Sequence, residues 1–177
     1  GAPFVLVGRR PISAGEDVPF VGIDNRAAGA EAADFLMTAG AKLPAVIHSA
    51  LSSSTIADRV AGFYDRMGQH GLEKRLIRSA SSNQLQHLGA GYEATGRLVA
   101  TTGWPDGLLC VSDLMAYGAF RLATEQGVHI PDRCIMVGVD DNPLNSWIAP
   151  WLSSVHVPYA DYGATIVEQL QARWGGE

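Results

Sequence analysis

Residues 108–127, Leu-Leu-Cys-Val-Ser-Asp-Leu-Met-Ala-Tyr-Gly-Ala-Phe-Arg-Leu-Ala-Thr-Glu-Gln-Gly, decide the fold. Leu108 to Ser112 is a short apolar run with a polar end, the pattern of a buried strand. The period then changes. Ala116, Ala119, Phe120 and Ala123 recur at helical spacing on one face, and Gly127 ends the helix. A continuous apolar strand that runs straight into an amphipathic helix is half of a βαβ unit.

The same unit recurs on both sides. Ala45 to Ile47 is a strand, followed by a loop from Ser49 to Thr55 and a helix carrying Ile56, Val60, Phe63 and Met67 on one face. Leu76-Ile77 is the core of a strand, and Tyr92 to Thr101 a helix, with Gly89-Ala90-Gly91 read as a turn before it. Cys134 to Val139 is a strand closed by Asp140-Asp141, Leu152 to Val157 another, and Tyr162, Ile166 and Leu170 mark a last helix. Strands near 46, 77, 110 and 136 recur at about thirty residues, which is βαβ spacing. The fold class is α/β, with a parallel sheet covered on both faces and right-handed crossovers. Upstream, Pro3 to Gly8 and Phe20 to Ile23 read as strands, and Asp24-Asn25 caps a helix over about residues 26–40. That opening is short of elements to cover the helix's apolar face. Either the tail helix near 160–174 returns to it or sequence is missing before Gly1.

The 177 residues suit one domain or two small lobes. A hydrophobic share of 47% is enough for a core and excludes a disordered chain. A net charge of −5 gives no basic surface for phosphate backbones. No apolar run reaches the ~18 residues of a membrane span, and no signal peptide is visible. Cys110 and Cys134 lie inside apolar runs, as buried free thiols of a cytoplasmic protein. The histidines are scattered and CxxC is absent, so neither a metal nor a cofactor is expected.

Ligands of an open α/β sheet sit beyond the carboxyl ends of the strands. The residues there are polar: Asp24, Ser49 to Thr55, Ser112 and Asp113, and Asp140 and Asp141, with Arg59 one turn into a helix. Carboxylates and a guanidinium suit a small polyhydroxylated ligand, since the former accept from hydroxyls and the latter donates in a fixed plane. Asp24, Asp113 and Asp140 also precede helices or loops, where each could serve only as a cap. His48, at a strand end, reads as structural because no nucleophile partners it. GxSxG and GxxxxGK[ST] are absent. Trp147 and Trp151, with Ile148 and Pro150, form an aromatic stretch that fits a core, a subunit interface or a sugar-stacking wall.

In order and spacing these segments resemble the effector-binding and dimerisation domain of the LacI/GalR family of transcriptional regulators. The resemblance is carried by Pro3 to Arg9, the run VGIDNRAAG over 21–29, Arg59-Val60-Ala61-Gly62-Phe63, Val111 to Gly118, GVHIP over 127–131 with Ile135 to Asp141, and Pro150 to Val155. It implies a periplasmic-binding-protein-like fold of two lobes with a small effector, foremost a sugar, otherwise a nucleoside-like metabolite, in the cleft between them. Effector occupancy would shift lobe arrangement and operator affinity, with DNA read by a helix-turn-helix outside these residues. On the resemblance the chain begins within the N-terminal lobe and ends before the family's last strand. Residues 1–42 would be part of that lobe, 43–157 a complete C-terminal lobe, and 158–177 a helix returning to the first.

The resemblance places Arg59 and Asp140 at positions that usually bind the effector, Asp24 at one that often does, and Thr55 and Ser112 at pocket-lining ones. Ser112 departs from the common Asn. Gln86 or His87 falls near a position often aromatic. Tyr117 and Ile148 match positions near the dimer contact, with Trp147 adjacent, so a homodimer is implied. The expected function is a binding module that senses a metabolite, not an enzyme, and has no membrane partner. The alternatives are a periplasmic sugar-binding protein of an uptake system and a small hydrolase or phosphatase using Asp113 or Asp140. Replacing Arg59 with Ala is expected to abolish ligand response and leave the fold nearly intact.

Overall fold

The computed structural model describes residues 3–9, 18–49, 53–72, 77–80 and 87–174. In chain order the elements are β1 (Leu6–Val7), β2 (Phe20–Val21), α1 (Asn25–Thr38), β3 (Pro44–His48), α2 (Ser54–Gln69), β4 (Ile77–Ala80), α3 (His87–Thr102), β5 (Gly107–Cys110), α4 (Asp113–Glu125), β6 (Ile135–Asp140), α5 (Asn145–Ile148), β7 (Ser153–His156) and α6 (Tyr159–Trp174). Strands β3 to β7 form a parallel sheet in the order β4-β3-β5-β6-β7, and β1 and β2 form a separate parallel pair. The α/β class and the parallel register expected from the strand-helix alternation are present. Leu76 lies outside the described residues.

Helices α1 and α2 pack together and onto one face of the larger sheet, and α3 and α4 pack together and onto the other. Every residue of β3 and β5 is buried, as a strand covered on both faces requires. Ile47, Leu108, Leu109 and Met136 meet Leu36, Phe63 and Met67 from one helix pair and Leu98 and Met115 from the other in one core.

Each helix pair crosses on reciprocal glycines. A Cβ on Gly29 would stand 2.0 Å from the Arg59 carbonyl oxygen, and one on Gly62 would stand 1.9 Å from that of Arg26. On the other face the same holds for Gly91 against Met115 and Gly118 against Leu88, each at 2.0 Å. This corrects the reading of Gly89-Ala90-Gly91 as a turn. The segment lies inside α3, which starts at His87 rather than Tyr92, and Gly91 serves the helix crossing.

The apolar face of α1 is turned mainly to the larger sheet. It packs on α2 and reaches β5, β6 and β7, so Ala32, Ala33 and Leu36 are fully buried against the larger sheet. Helix α6 runs beside β2, and the Tyr162 phenol is held by the backbone of Ile23. Cys110 and Cys134 are free and buried, and burial pushes the Cys134 thiol up to about 12. Among the described residues no helix is long and apolar enough to cross a membrane.

Candidate functional site

In the larger sheet β3 is paired by β4 on one side and by β5 on the other, so the crossovers leave in opposite directions. Such a switch point opens a crevice at the carboxyl ends of the two strands. A cavity of about 310 Å³ lies there. Ser49 follows β3, Val111 and Ser112 follow β5, and Asp140 ends β6; all of them line it. Val7, Gly8 and Arg9 from the end of β1 form the opposing wall, so the cavity lies between the small sheet and the large one.

Arg59 is 6% exposed and is fixed by its own fold. Nε donates to Asn25 Oδ1 at 2.9 Å, and Nη1 to the Val111 carbonyl at 2.6 Å. The same Nη1 stands 3.8 Å from Asp140 Oδ1, an ion-pair distance without a direct hydrogen bond. Burial pulls the guanidinium below its ordinary pKa, with Asp140 acting against that. Burial likewise raises the Asp140 carboxyl above its ordinary range, opposed by Arg59 and by the Tyr159 hydroxyl, which donates to Oδ1 at 3.0 Å. Asp140 has φ 131°, in a region that side-chain-bearing residues rarely adopt. Strain of this kind at a strand end beside a cavity aims a side chain at the cost of local stability.

Four of the five expected ligand-binding residues, Thr55, Arg59, Ser112 and Asp140, line this one cavity. Thr55 straps the two walls together by donating to the Gly8 carbonyl at 2.9 Å, which leaves its oxygen to accept. Ser112 caps α4, its side-chain oxygen accepting from Met115 N at 3.4 Å. Asp24 is not brought to the cavity. Its carboxylate turns back onto Ala27 N at 2.9 Å as the cap of α1, and it borders an outer groove between α1 and α2. The inward residue of the Asp-Asn pair is Asn25, which holds Arg59.

Asp113 is fully buried and wholly engaged by protein. Its oxygens accept from Ser154 Oγ at 2.7 Å and from Asn142 N and Asn145 Nδ2, both at 2.8 Å. Gly138 makes the room, since a Cβ there would stand 2.0 Å from Asp113 Oδ1. Asp113 therefore locks the start of α4 to the β6–α5 loop and to β7, and it has no face for a substrate. His48 is structural. Arg78 Nε donates to its Nε2 at 2.6 Å, so Nδ1 carries the proton and donates to the Ser49 carbonyl. No group of three or more His, Cys, Asp or Glu side chains that could hold a metal occurs among the described residues.

Two polar cavity residues escaped the sequence reading: Arg9 and Tyr159. Tyr159 is far from the others in sequence and reaches the cavity only because α6 folds back across it. His87, the first residue of α3, lines the cavity, and Gln86 lies outside the described residues. The two tryptophans part ways. Trp151 stacks on Phe120 with centroids 4.0 Å apart and planes within 7°. Trp147 and Ile148, on α5, are 83% and 60% exposed. Tyr117 is joined to the same helix by a hydrogen bond to Asn145 Oδ1 at 2.6 Å, so the three residues expected at a dimer contact share one region of the surface.

The sequence pattern of the periplasmic binding protein-like domain family matches residues 33–177. The HTH-type transcriptional regulator MalR of Streptomyces coelicolor is 30% identical over 99% of this chain and 51% of its own length. A transcriptional regulator of the LacI family from Burkholderia phymatum superposes with a TM-score of 0.80 at 31% identity, over 98% of this chain and 62% of that structure. A sugar-binding transcriptional regulator of the LacI family from Escherichia coli, complexed with phosphate, superposes with a TM-score of 0.80 at 25% identity, over 98% and 61%. The chain spans about half the length of the curated relatives it matches. It belongs to the periplasmic binding protein-like domain family, as an effector-binding domain of the LacI/GalR type.

Proposed function

We propose that this chain is the effector-binding and dimerisation core of a DNA-binding transcriptional regulator, and that its effector is a small polyhydroxylated metabolite, foremost a sugar. The observation that carries the reading is the convergence of Arg59, Asp140, Ser112 and Thr55 on one cavity of about 310 Å³ at the topological switch point. A carboxylate and a guanidinium side by side reward a ligand with both donors and acceptors, and a ligand lacking them leaves buried groups unpaired.

The lobes are the β1–β2 pair with α6 beside it and the five-stranded sheet with its helices, and occupancy of the cavity between them biases their relative placement. Operator DNA is bound by a segment outside this chain, in a cytoplasmic homodimer formed through the surface that carries Tyr117, Trp147 and Ile148. Calorimetric titration of the chain with D-pentoses, D-hexoses and nucleosides tests the effector. At least one compound should bind and raise the melting temperature, and Asp140→Asn should abolish the heat of binding while the variant remains folded. A chain indifferent to the whole panel, or an Asp140→Asn variant that binds as well as the parent, overturns the reading.

A further inference from the structure

Two hollows meet at Tyr159. The cavity of about 310 Å³ adjoins a second of about 530 Å³, and the two share Leu114, Asp140 and Tyr159. The second hollow pairs an apolar side, Leu114, Pro143, Val157 and Pro158, with a polar one that includes Asp141 and His156, hydrogen-bonded to each other at 2.8 Å. Of the shared residues Tyr159 has the large ring, and that ring is held at both ends. Its hydroxyl sits on Asp140 Oδ1, its backbone opens α6, and Tyr162 packs edge-on against it with centroids 5.5 Å apart and planes at 62°. A volume of about 310 Å³ is at the bottom of the roughly 300–1,000 Å³ span of small-molecule sites, room for one sugar ring. A second ring extending toward the adjoining hollow meets Tyr159.

We propose that Tyr159 is a specificity-determining residue that restricts the site to a single polyhydroxylated ring, standing between the two hollows while pinned to Asp140. This inference rests on the polyol reading above. The ring supplies the wall and the hydroxyl holds it in place. Because that hydroxyl occupies Asp140 Oδ1, it also sets which carboxylate lone pairs a ligand meets. The charged and titratable groups around Asp140 among the described residues include Arg59 on α2, His87 on α3, Asp113 and Tyr117 on α4, Tyr159 and Tyr162 on α6 and, across the sheet register, His156 on β7.

Two variants separate wall from pin: Tyr159→Ala removes both, and Tyr159→Phe keeps the wall. The probes are the D-pentoses and D-hexoses and the disaccharides built from them, titrated calorimetrically into the whole chain. The parent should bind its preferred monosaccharide at least about tenfold more tightly than the disaccharides containing it; Tyr159→Ala should narrow that gap to about threefold or less, and Tyr159→Phe should preserve it. A parent that takes the disaccharide as tightly as the monosaccharide, or an alanine variant that keeps the gap, overturns the inference. A ligand-free measurement accompanies these. Carboxyl ¹³C NMR titration of Asp140 should show protonation at higher pH in Tyr159→Phe than in the parent, because a donor to the ionised carboxylate is gone. Superimposable titrations would mean that the hydroxyl does not hold Asp140, and would also overturn the inference. If no sugar binds at all, the polyol reading falls, and the titration alone decides whether the Tyr159 pin exists.

Discussion

Arg59 does two jobs at once. It faces the cavity, and it also closes the hydrogen-bonding needs of Asn25 and of the Val111 carbonyl. The expectation that Arg59→Ala leaves the fold nearly intact is therefore revised, since the residue is buried rather than lodged on a cleft surface. Arg59→Ala should cost about 2–4 kcal/mol in urea unfolding as well as ligand binding, because it leaves polar partners and a neighbouring carboxylate unsatisfied. Asp140 behaves in the opposite way. Its folded pKa lies above its unfolded one, mainly through burial, so ionising it weakens the folded state. The penalty is fully present above the folded pKa and disappears as pH falls through that value toward the ordinary carboxylate range. Asp140→Asn should thus be more stable than the parent at neutral pH, with the difference shrinking to nothing in acid. Urea melts at several pH values check both the sign and the window.

At the scale of elements, the site depends on where helices cross. The Gly29–Gly62 contact brings α1 against α2 closely enough for Asn25 to reach Arg59, and the Gly91–Gly118 contact sets α4, whose cap is Ser112. Gly62→Ala and Gly118→Ala each place a methyl group against backbone, which cannot move aside without parting the helices. Each should cost about 1–3 kcal/mol or more by thermal or urea unfolding. Gly96, also in α3, is the control. A Cβ there meets only the Leu122 side chain at 3.9 Å, so Gly96→Ala should gain up to about 1 kcal/mol from helix propensity. Opposite outcomes at these helical glycines would separate close approach from propensity.

At the scale of the whole molecule, the cavity lies between two sheets that are joined by the chain after β2 and by α6. Thr55 bonded to Gly8 straps them directly, and α6 bridges them through Tyr159 bonded to Asp140 and Tyr162 beside the Ile23 backbone. A ligand that bridges the walls should protect the backbone amides of α6 from hydrogen exchange along with those at the cavity, whereas a ligand held by the large sheet alone should protect only the latter. Outside the cavity, Trp147 and Ile148 form an exposed apolar patch. If the proposed homodimer forms through this patch, the parent should sediment as a dimer and the double variant Trp147→Glu, Ile148→Glu as a monomer, with ligand affinity unchanged. An unchanged sedimentation coefficient would remove this patch from the assembly.

The sequence by itself determined the α/β class, the parallel sheet and the carboxyl-end placement of Arg59, Ser112 and Asp140, because strand and helix periods are local and the switch-point rule converts chain order into position. It did not distinguish Asp24 from Asn25, since a cap and an inward-turned amide occupy neighbouring positions with similar residue types and only the turn into α1 decides which side chain faces inward. Nor did it show that Gly91 serves a helix crossing, that Asp113 is consumed by donors from the β6–α5 loop, α5 and β7, or that Tyr159 lines the cavity. Those facts depend on contacts between segments far apart in the chain, and local periodicity carries no record of which segments will meet.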